Sequence, residues 1–356
     1  MKIFVYAFFA RNLGDDLFIK ILCERFHEIE FYAVLSRKNA IPFYGIKNFH
    51  PIYSENKKEE IIDECDAILK IGGSVFIQPQ ENYIEYCNSE LKIIQGYTKK
   101  NKPFFVIGAN FGPFYIEEFK EQFQKFFKYT KDTCFRDSYS YNLFSNLDNV
   151  RVAPDVIFGL NDKILKKRGK YIVFSCLDYR KEWSDFFSSD EYYRKIASVI
   201  KYYTEQNYKV YMISFCHPMK DWIATLKATK YLNIKSLYRV RLIFYNGNIK
   251  NVLSIIKGAS YIIGTRFHAI VLGLLYNIPV FPIVYSNKHK NLLNDINYIE
   301  SGGRYIDITD FCCTSLDDFN ANLENSIIPN IEYMKKNAYK QFDGLKTFIN
   351  EKTKRY

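Results

Sequence analysis

Short apolar runs, each followed by a stretch with apolar residues at helical spacing, recur along this chain and leave few folds open to it. Ile3–Phe9 is the first run, and Leu17, Ile21, Leu22 and Phe26 then line one face of a helix. Ile29–Leu35, Ala67–Ile71, Pro103–Gly108 and Thr133–Phe135 continue the series in the first half. Tyr171–Cys176, Lys209–Phe215, Leu242–Tyr245, Ser260–Gly264 and Val280–Tyr285 repeat it in the second. Runs this uniformly apolar are strands covered on both faces, and their alternation with helices predicts doubly wound α/β sheets. At 356 residues, two such domains are expected. The basic stretch Asn161–Lys170 (NDKILKKRGK) reads as the linker, giving one domain over 1–160 and another over 171–329. A last helical pattern within 330–356 (Met334, Ala338, Phe342, Leu345, Ile349) is expected to pack back on the first domain.

In open parallel sheets, ligands bind beyond the carboxyl ends of the strands. The stretch Gly264–Leu293 (GTRFHAIVLGLLYNIPVFPIVYSNKHKNLL) puts two such ends on consecutive units. Thr265 offers an N-cap, with Arg266, Phe267 and His268 in the first turn of the following helix. Asn277 and Pro279 end that helix, and Ser286 caps another that begins near Lys288. Two cations and a histidine thus stand beside helix N-termini, whose N–H groups favour anions. A histidine near a helix start is most often a cap or packing residue, and loop lysines and arginines are most often solvated. Their convergence in a chain with only five histidines favours an anion pocket holding a proton donor.

The remaining informative motifs also follow strands. In Asn12–Asp16 (NLGDD), Gly14 permits close approach to the backbone; Asp16 suits a cap, and Asp15 a cap, a sugar-hydroxyl ligand or a general base. Gly72-Gly73-Ser74 lacks the full dinucleotide fingerprint but suits a loop whose amides face a cleft, as does Gly112-Pro113. Arg136 points from a strand end, with Asp137 able to pair with it or cap a helix, and is read as a phosphate or carboxylate ligand. Asp155, after Pro154, reads as structural.

Net charge bounds the partners. The balance of 50 Lys+Arg against 39 Asp+Glu gives +11, which suits an anionic substrate, a membrane surface or nucleic acid. No nucleic-acid motif accompanies it, so nucleic acid is set aside. The 30 tyrosines and 31 phenylalanines read as compositional bias rather than a stacking surface. The eight cysteines show no metal spacing and suit reduced thiols in the cytoplasm. No apolar run reaches the length of a membrane span. Peripheral contact with an anionic inner membrane face is expected from Lys166, Lys167, Arg168 and Lys352–Arg355.

Taken in order, Asn12–Asp15, Gly72-Gly73, Gly108–Pro113, Arg136–Ser140 (RDSYS), Pro154-Asp155, Arg266-Phe267-His268 and Pro279…Tyr285…Lys288 resemble the polysaccharide pyruvyl transferase family over nearly the whole chain. Gly-Gly-Ser at 72–74 departs from the third glycine many members carry. The resemblance implies two Rossmann-like domains facing across a cleft, similar to B-type glycosyltransferases. It implies transfer of the enolpyruvyl carbons of phosphoenolpyruvate to two hydroxyls of one sugar, on a cell-surface glycan or its lipid-linked precursor. Phosphoenolpyruvate is then a substrate, and no metal or other cofactor is expected. His268 becomes the acid and Asp15 the base, while Arg136, Arg266 and Lys288 hold the donor. Asn12, Gly14, Gly72, Gly73, Ser74 and Gly112 become acceptor or cleft loops. A sugar-nucleotide glycosyltransferase and an inactive scaffold in a polysaccharide-assembly complex are the alternatives.

Overall fold

The computed structural model describes residues 1–354, so Arg355 of the expected basic tail lies outside the described residues. The chain divides into two compact units. The first comprises Met1–Phe9, Asp15–Leu160 and the residues from Glu332 onward; the second comprises Ala10–Gly14 and Asn161–Ile331. Two short segments therefore depart from the expected boundaries. Ala10–Gly14 groups with the second unit, and so does the stretch read as a linker. The latter is pinned there by Lys257 Nζ to Asp162 at 2.7 Å and by Arg168 Nη1 donating to the Ala259 carbonyl at 2.9 Å.

The first unit is built on a parallel sheet of β1 (Lys2–Tyr6), β2 (Glu30–Val34), β3 (Phe49–Ile52), β4 (Ala67–Ile71), β5 (Phe104–Ala109), β6 (Asp132–Phe135) and β7 (Val150–Val152). Their order is β3-β2-β1-β4-β5-β6-β7, which reverses direction between β1 and β4. The second unit repeats the plan with β8 (Tyr171–Ser175), β9 (Lys209–Ser214), β10 (Val240–Phe244), β11 (Tyr261–Gly264), β12 (Val280–Val284) and β13 (Ile306–Asp307). Its order is β10-β9-β8-β11-β12-β13, reversing between β8 and β11. Such reversals open a crevice at the carboxyl ends of the two diverging strands.

Phenylalanine fills the first core. Phe119, Phe123, Phe126 and Phe127 fall on the inner face of helix Glu117–Phe127 and are all buried. They interlock edge-to-face with Phe76, Phe111 and Phe144, the geometry aromatic quadrupoles prefer. Aromatic content here is core material.

The residues from Glu332 onward close this unit. Gln341, fully buried, accepts the Gly108 N–H at 2.9 Å and donates to the carbonyls of Phe135 (3.0 Å) and Ala153 (2.6 Å). One amide side chain thus joins the ends of β5, β6 and β7. No helix among the described residues is long and apolar enough to cross a membrane.

Candidate functional site

In the second unit, the reversal point is held by Ser175 at the end of β8. Its carbonyl accepts the Thr265 N–H at 3.0 Å and the Thr265 hydroxyl, and its Oγ accepts the Arg266 N–H at 3.3 Å. Thr265 is therefore committed to the neighbouring strand end, and Arg266 occupies the N-cap position of helix Phe267–Leu275 instead. The expected Thr265 cap is corrected on this point.

The Arg266 guanidinium is buried against Asp221. Nε donates to Oδ2 at 2.8 Å, Nη2 donates to Oδ1, and Nη1 lies 3.1 Å from Met219 Sδ. Asp221 is wholly buried and also accepts the backbone N–H groups of Phe215 and Cys216, each at 3.1 Å. Burial pushes this carboxyl up, against Arg266 and the two amides, which pull it down. The charge of Arg266 is thus largely balanced inside the unit. An aspartate opening a helix reads in sequence as an ordinary cap, and no local spacing points to its arginine partner.

Tyr285 follows β12 and collects cations. The Arg180 guanidinium, from the loop after β8, lies 4.9 Å from its ring centre, and the Lys288 ammonium 5.6 Å. Burial alone would raise this phenol's pKa, but Lys288, Arg266 and Arg180 together bring it below its ordinary value. Arg180 carries no sequence signal, lying in an irregular loop with Glu182 at 3.2 Å. Behind Tyr285 stands His289, fully buried, its ring edge-on to the tyrosine at 4.7 Å. Its Nε2 donates to the Thr265 carbonyl at 3.2 Å, and its Nδ1 lies 3.0 Å from Ser286 Oγ. This histidine fixes the loops after β11 and β12 to each other.

His268 is half-buried, edge-on to Phe267 at 5.1 Å. The segment Ala10–Gly14 packs beside it. Asn12 forms an antiparallel bridge with Cys216, and the Leu13 N–H donates to the Phe215 carbonyl at 3.1 Å. Asn12 Oδ1 accepts the Gly14 N–H at 3.2 Å, shaping the turn. A β-carbon placed on Gly14 would stand 1.6 Å from His268 Nδ1. Gly14 thus gives room to the imidazole, where the sequence suggested room for a ligand.

The first unit has its own loop cluster. Asp15 lies in the first turn of helix Leu13–Arg25, is 8% exposed, and directs Oδ1 to 3.5 Å from the β-carbon position of Gly72. Gly72 itself has φ of +145°, a conformation open to glycine. Arg136, its side chain 2% exposed, donates from Nη1 to Asp155 at 3.0 Å and from Nη2 to Asn110 Oδ1 at 2.6 Å. Gly73 lies so close that its β-carbon would stand 2.4 Å from Nη1. Ser74 Oγ donates to Asn110 Oδ1 at 3.2 Å, and Asn110 Nδ2 to the Gly112 carbonyl at 3.2 Å. Asp137 caps the helix Ser138–Asn142 by accepting the Ser140 N–H at 2.8 Å, while Arg136 pairs with Asp155. Arg136 organises the loops after β4, β5, β6 and β7, and both terminal nitrogens have partners within the unit.

Among the described residues, no group of three or more His, Cys, Asp or Glu is placed to hold a metal ion. None of the cysteines among the described residues is joined in a disulfide.

The chain is similar to the structure of UDP-GlcNAc 2-epimerase from Methanocaldococcus jannaschii (12% identity, TM-score 0.60, covering 98% of this chain and 99% of that one). A putative UDP-N-acetylglucosamine 2-epimerase from Listeria monocytogenes is similar at 9% identity and a TM-score of 0.59, covering 98% and 96%. At such identities the likeness is one of fold: two α/β units of the kind shared with B-type glycosyltransferases. In sequence the chain is 21% identical to the amylovoran biosynthesis protein AmsJ of Erwinia amylovora over 67% of its own length and 61% of that protein's. The polysaccharide pyruvyl transferase model matches residues 12–287, which takes in the Asn12–Gly14 turn, the Arg136 hub and the Arg266–Tyr285 cluster. This chain belongs to the polysaccharide pyruvyl transferase family, a family of transferases.

Proposed function

We propose that the protein transfers the enolpyruvyl carbons of phosphoenolpyruvate to two hydroxyls of one sugar, on a cell-surface glycan or its lipid-linked precursor, as a cyclic ketal. The observation that carries this reading is the convergence of Arg180, Lys288 and Arg266 on Tyr285 at the carboxyl ends of β8, β11 and β12. His268 opens the helix after β11. A donor with a carboxylate and a phosphate needs several fixed cations, and an enol needs an acid.

In the proposed sequence, Lys288 and Arg180 hold the donor's anionic groups, and Arg266, balanced by Asp221, keeps the strand-end loops in register. Protonated His268 gives its proton to the methylene carbon, which becomes the methyl group. One sugar hydroxyl attacks the resulting oxocarbenium-like carbon, phosphate leaves with its bonding electrons, and the second hydroxyl closes the ring. Two hydroxyl protons are released, one restoring His268 and one leaving with phosphate. Asp15 is proposed to take the proton of the attacking hydroxyl and pass it to solvent, from which His268 is reprotonated. Arg136 serves the loops of the first unit. Phosphoenolpyruvate is a cytoplasmic metabolite, so the reaction belongs on that side of a membrane.

The test is phosphate release from phosphoenolpyruvate in the presence of a glycan panel, with mass spectrometry for one added pyruvyl ketal. The His268→Ala variant is expected to bind the donor and lose roughly 10²–10⁴-fold in turnover. Transfer from a sugar nucleotide with no phosphate release would overturn the reading.

A further inference from the structure

The edge of the first unit formed by β2 and β3 carries an exposed surface that neither core nor site uses. The loop after β2 is stapled down by Phe43, whose ring packs on Phe9 at 5.8 Å and Phe49 at 4.8 Å. That anchor leaves Ile41 and Tyr44 outward, 41% and 63% exposed, beside Tyr53 at 43% after β3. The Arg37 guanidinium covers the Tyr53 ring at 4.7 Å, and the Tyr44 hydroxyl donates to the Arg37 carbonyl at 3.4 Å, so these side chains form one patch. Charge on the segment Ser36–Lys57 is one-sided. Arg37, Lys38, Lys47 and Lys57 are opposed only by Glu55, and all four cations are exposed.

We infer that this edge is where the protein docks on an anionic phospholipid bilayer. Tyrosine suits the headgroup level, where its ring is apolar and its hydroxyl stays wet. Arginine and lysine beside it supply attraction to anionic headgroups. Charge also selects this surface over the exposed pair Tyr115 and Ile116 of the same unit. There Glu117 and Glu118 follow directly, and anionic lipid would be repelled. The linker cations are a poorer candidate, because Arg168 is drawn onto the carbonyls of Ala259 and Asn277. The inference rests on this surface alone and stands or falls independently of the donor chemistry.

The experiment is co-sedimentation of the full chain with vesicles of phosphatidylcholine, with and without phosphatidylglycerol, at low salt. The full chain is expected to sediment with the anionic vesicles only. The variant Arg37→Ser/Lys38→Ser/Tyr44→Ser/Tyr53→Ser is expected to lose at least roughly tenfold in partitioning, with an unchanged circular dichroism spectrum. Lys166→Ser/Lys167→Ser is expected to retain it. A second measurement does not depend on that multiple variant folding. Tyr44→Trp should gain fluorescence that brominated lipid quenches in anionic vesicles. No sedimentation with anionic vesicles, equal loss in the lysine control, or an unquenched tryptophan with bound protein would each overturn the assignment. So would binding to a soluble polyanion such as heparin in preference to the vesicles.

Discussion

Gly14 and His268 stand face to face, with no room for a methyl group between the glycine backbone and imidazole Nδ1. Gly14→Ala must therefore move the ring, which is the more mobile partner. The expected result is a fall in turnover of about 10²-fold or more, while the melting temperature changes little because the displaced side chain is half-buried. Kinetics beside a thermal melt checks it. A variant with full turnover would show that the imidazole need not stay in this position.

Asp221→Asn leaves Arg266 without its carboxylate in a buried setting. Breaking one partner of such a pair costs about 3–5 kcal/mol, so chemical denaturation should show a large loss in the second unit. Arg266→Lys is expected to lose stability too, since an ammonium cannot replace the two-pronged contact. Indifference of the denaturation midpoint to both changes would contradict the geometry.

Arg136→Ala tests whether this arginine holds protein or substrate. Its contacts with Asp155 and Asn110 predict a stability loss on the same order, about 3–5 kcal/mol, and little change in KM for phosphoenolpyruvate in the folded fraction. A raised KM with an unchanged unfolding midpoint would instead return Arg136 to the donor site.

Tyr285 makes a pH-dependent contribution whose sign follows from its surroundings. Burial opposes ionisation, but Lys288, Arg266 and Arg180 bring the folded-state pKa below the ordinary 10.0. An acid with a depressed folded value stabilises fully above its unfolded value, and the contribution disappears as pH falls through the folded one. Tyrosinate absorbance during an alkaline titration should show one phenol ionising early, and Tyr285→Phe should remove that step. Lys288→Met should move it upward; a titration curve identical in all three proteins would refute the assignment.

Much of this architecture was legible because the central strands are mainly apolar, and Ala67–Ile71 falls on the residues the pattern indicates. The three strands missed, β3, β7 and β13, lie at sheet edges; β3 carries Pro51, β7 spans only Val150–Val152 and β13 only Ile306–Asp307. Edge strands bury less and tolerate proline, so their pattern is weak. As candidates for the site, Arg266, His268 and Lys288 could be named because strand ends announce themselves. Their supports could not be. Asp221 and Asp155 meet their arginines across 45 and 19 residues, and no local spacing encodes such a meeting. Arg180 is hidden for the same reason, in a loop whose course depends on the fold around it.

The bonds of Gln341 reach back to Gly108, Phe135 and Ala153, across about two hundred residues of chain. On the ribosome this sets an order of completion. Domains ordinarily finish from the amino terminus onward as synthesis proceeds at about 5–20 residues per second. Here the unit that begins first is finished last, because strand ends β5, β6 and β7 wait for an amide translated after the whole of the second unit. Until then the nascent first unit holds an unfilled seam, and a chaperone that shields it would act longest on the half of the protein made earliest.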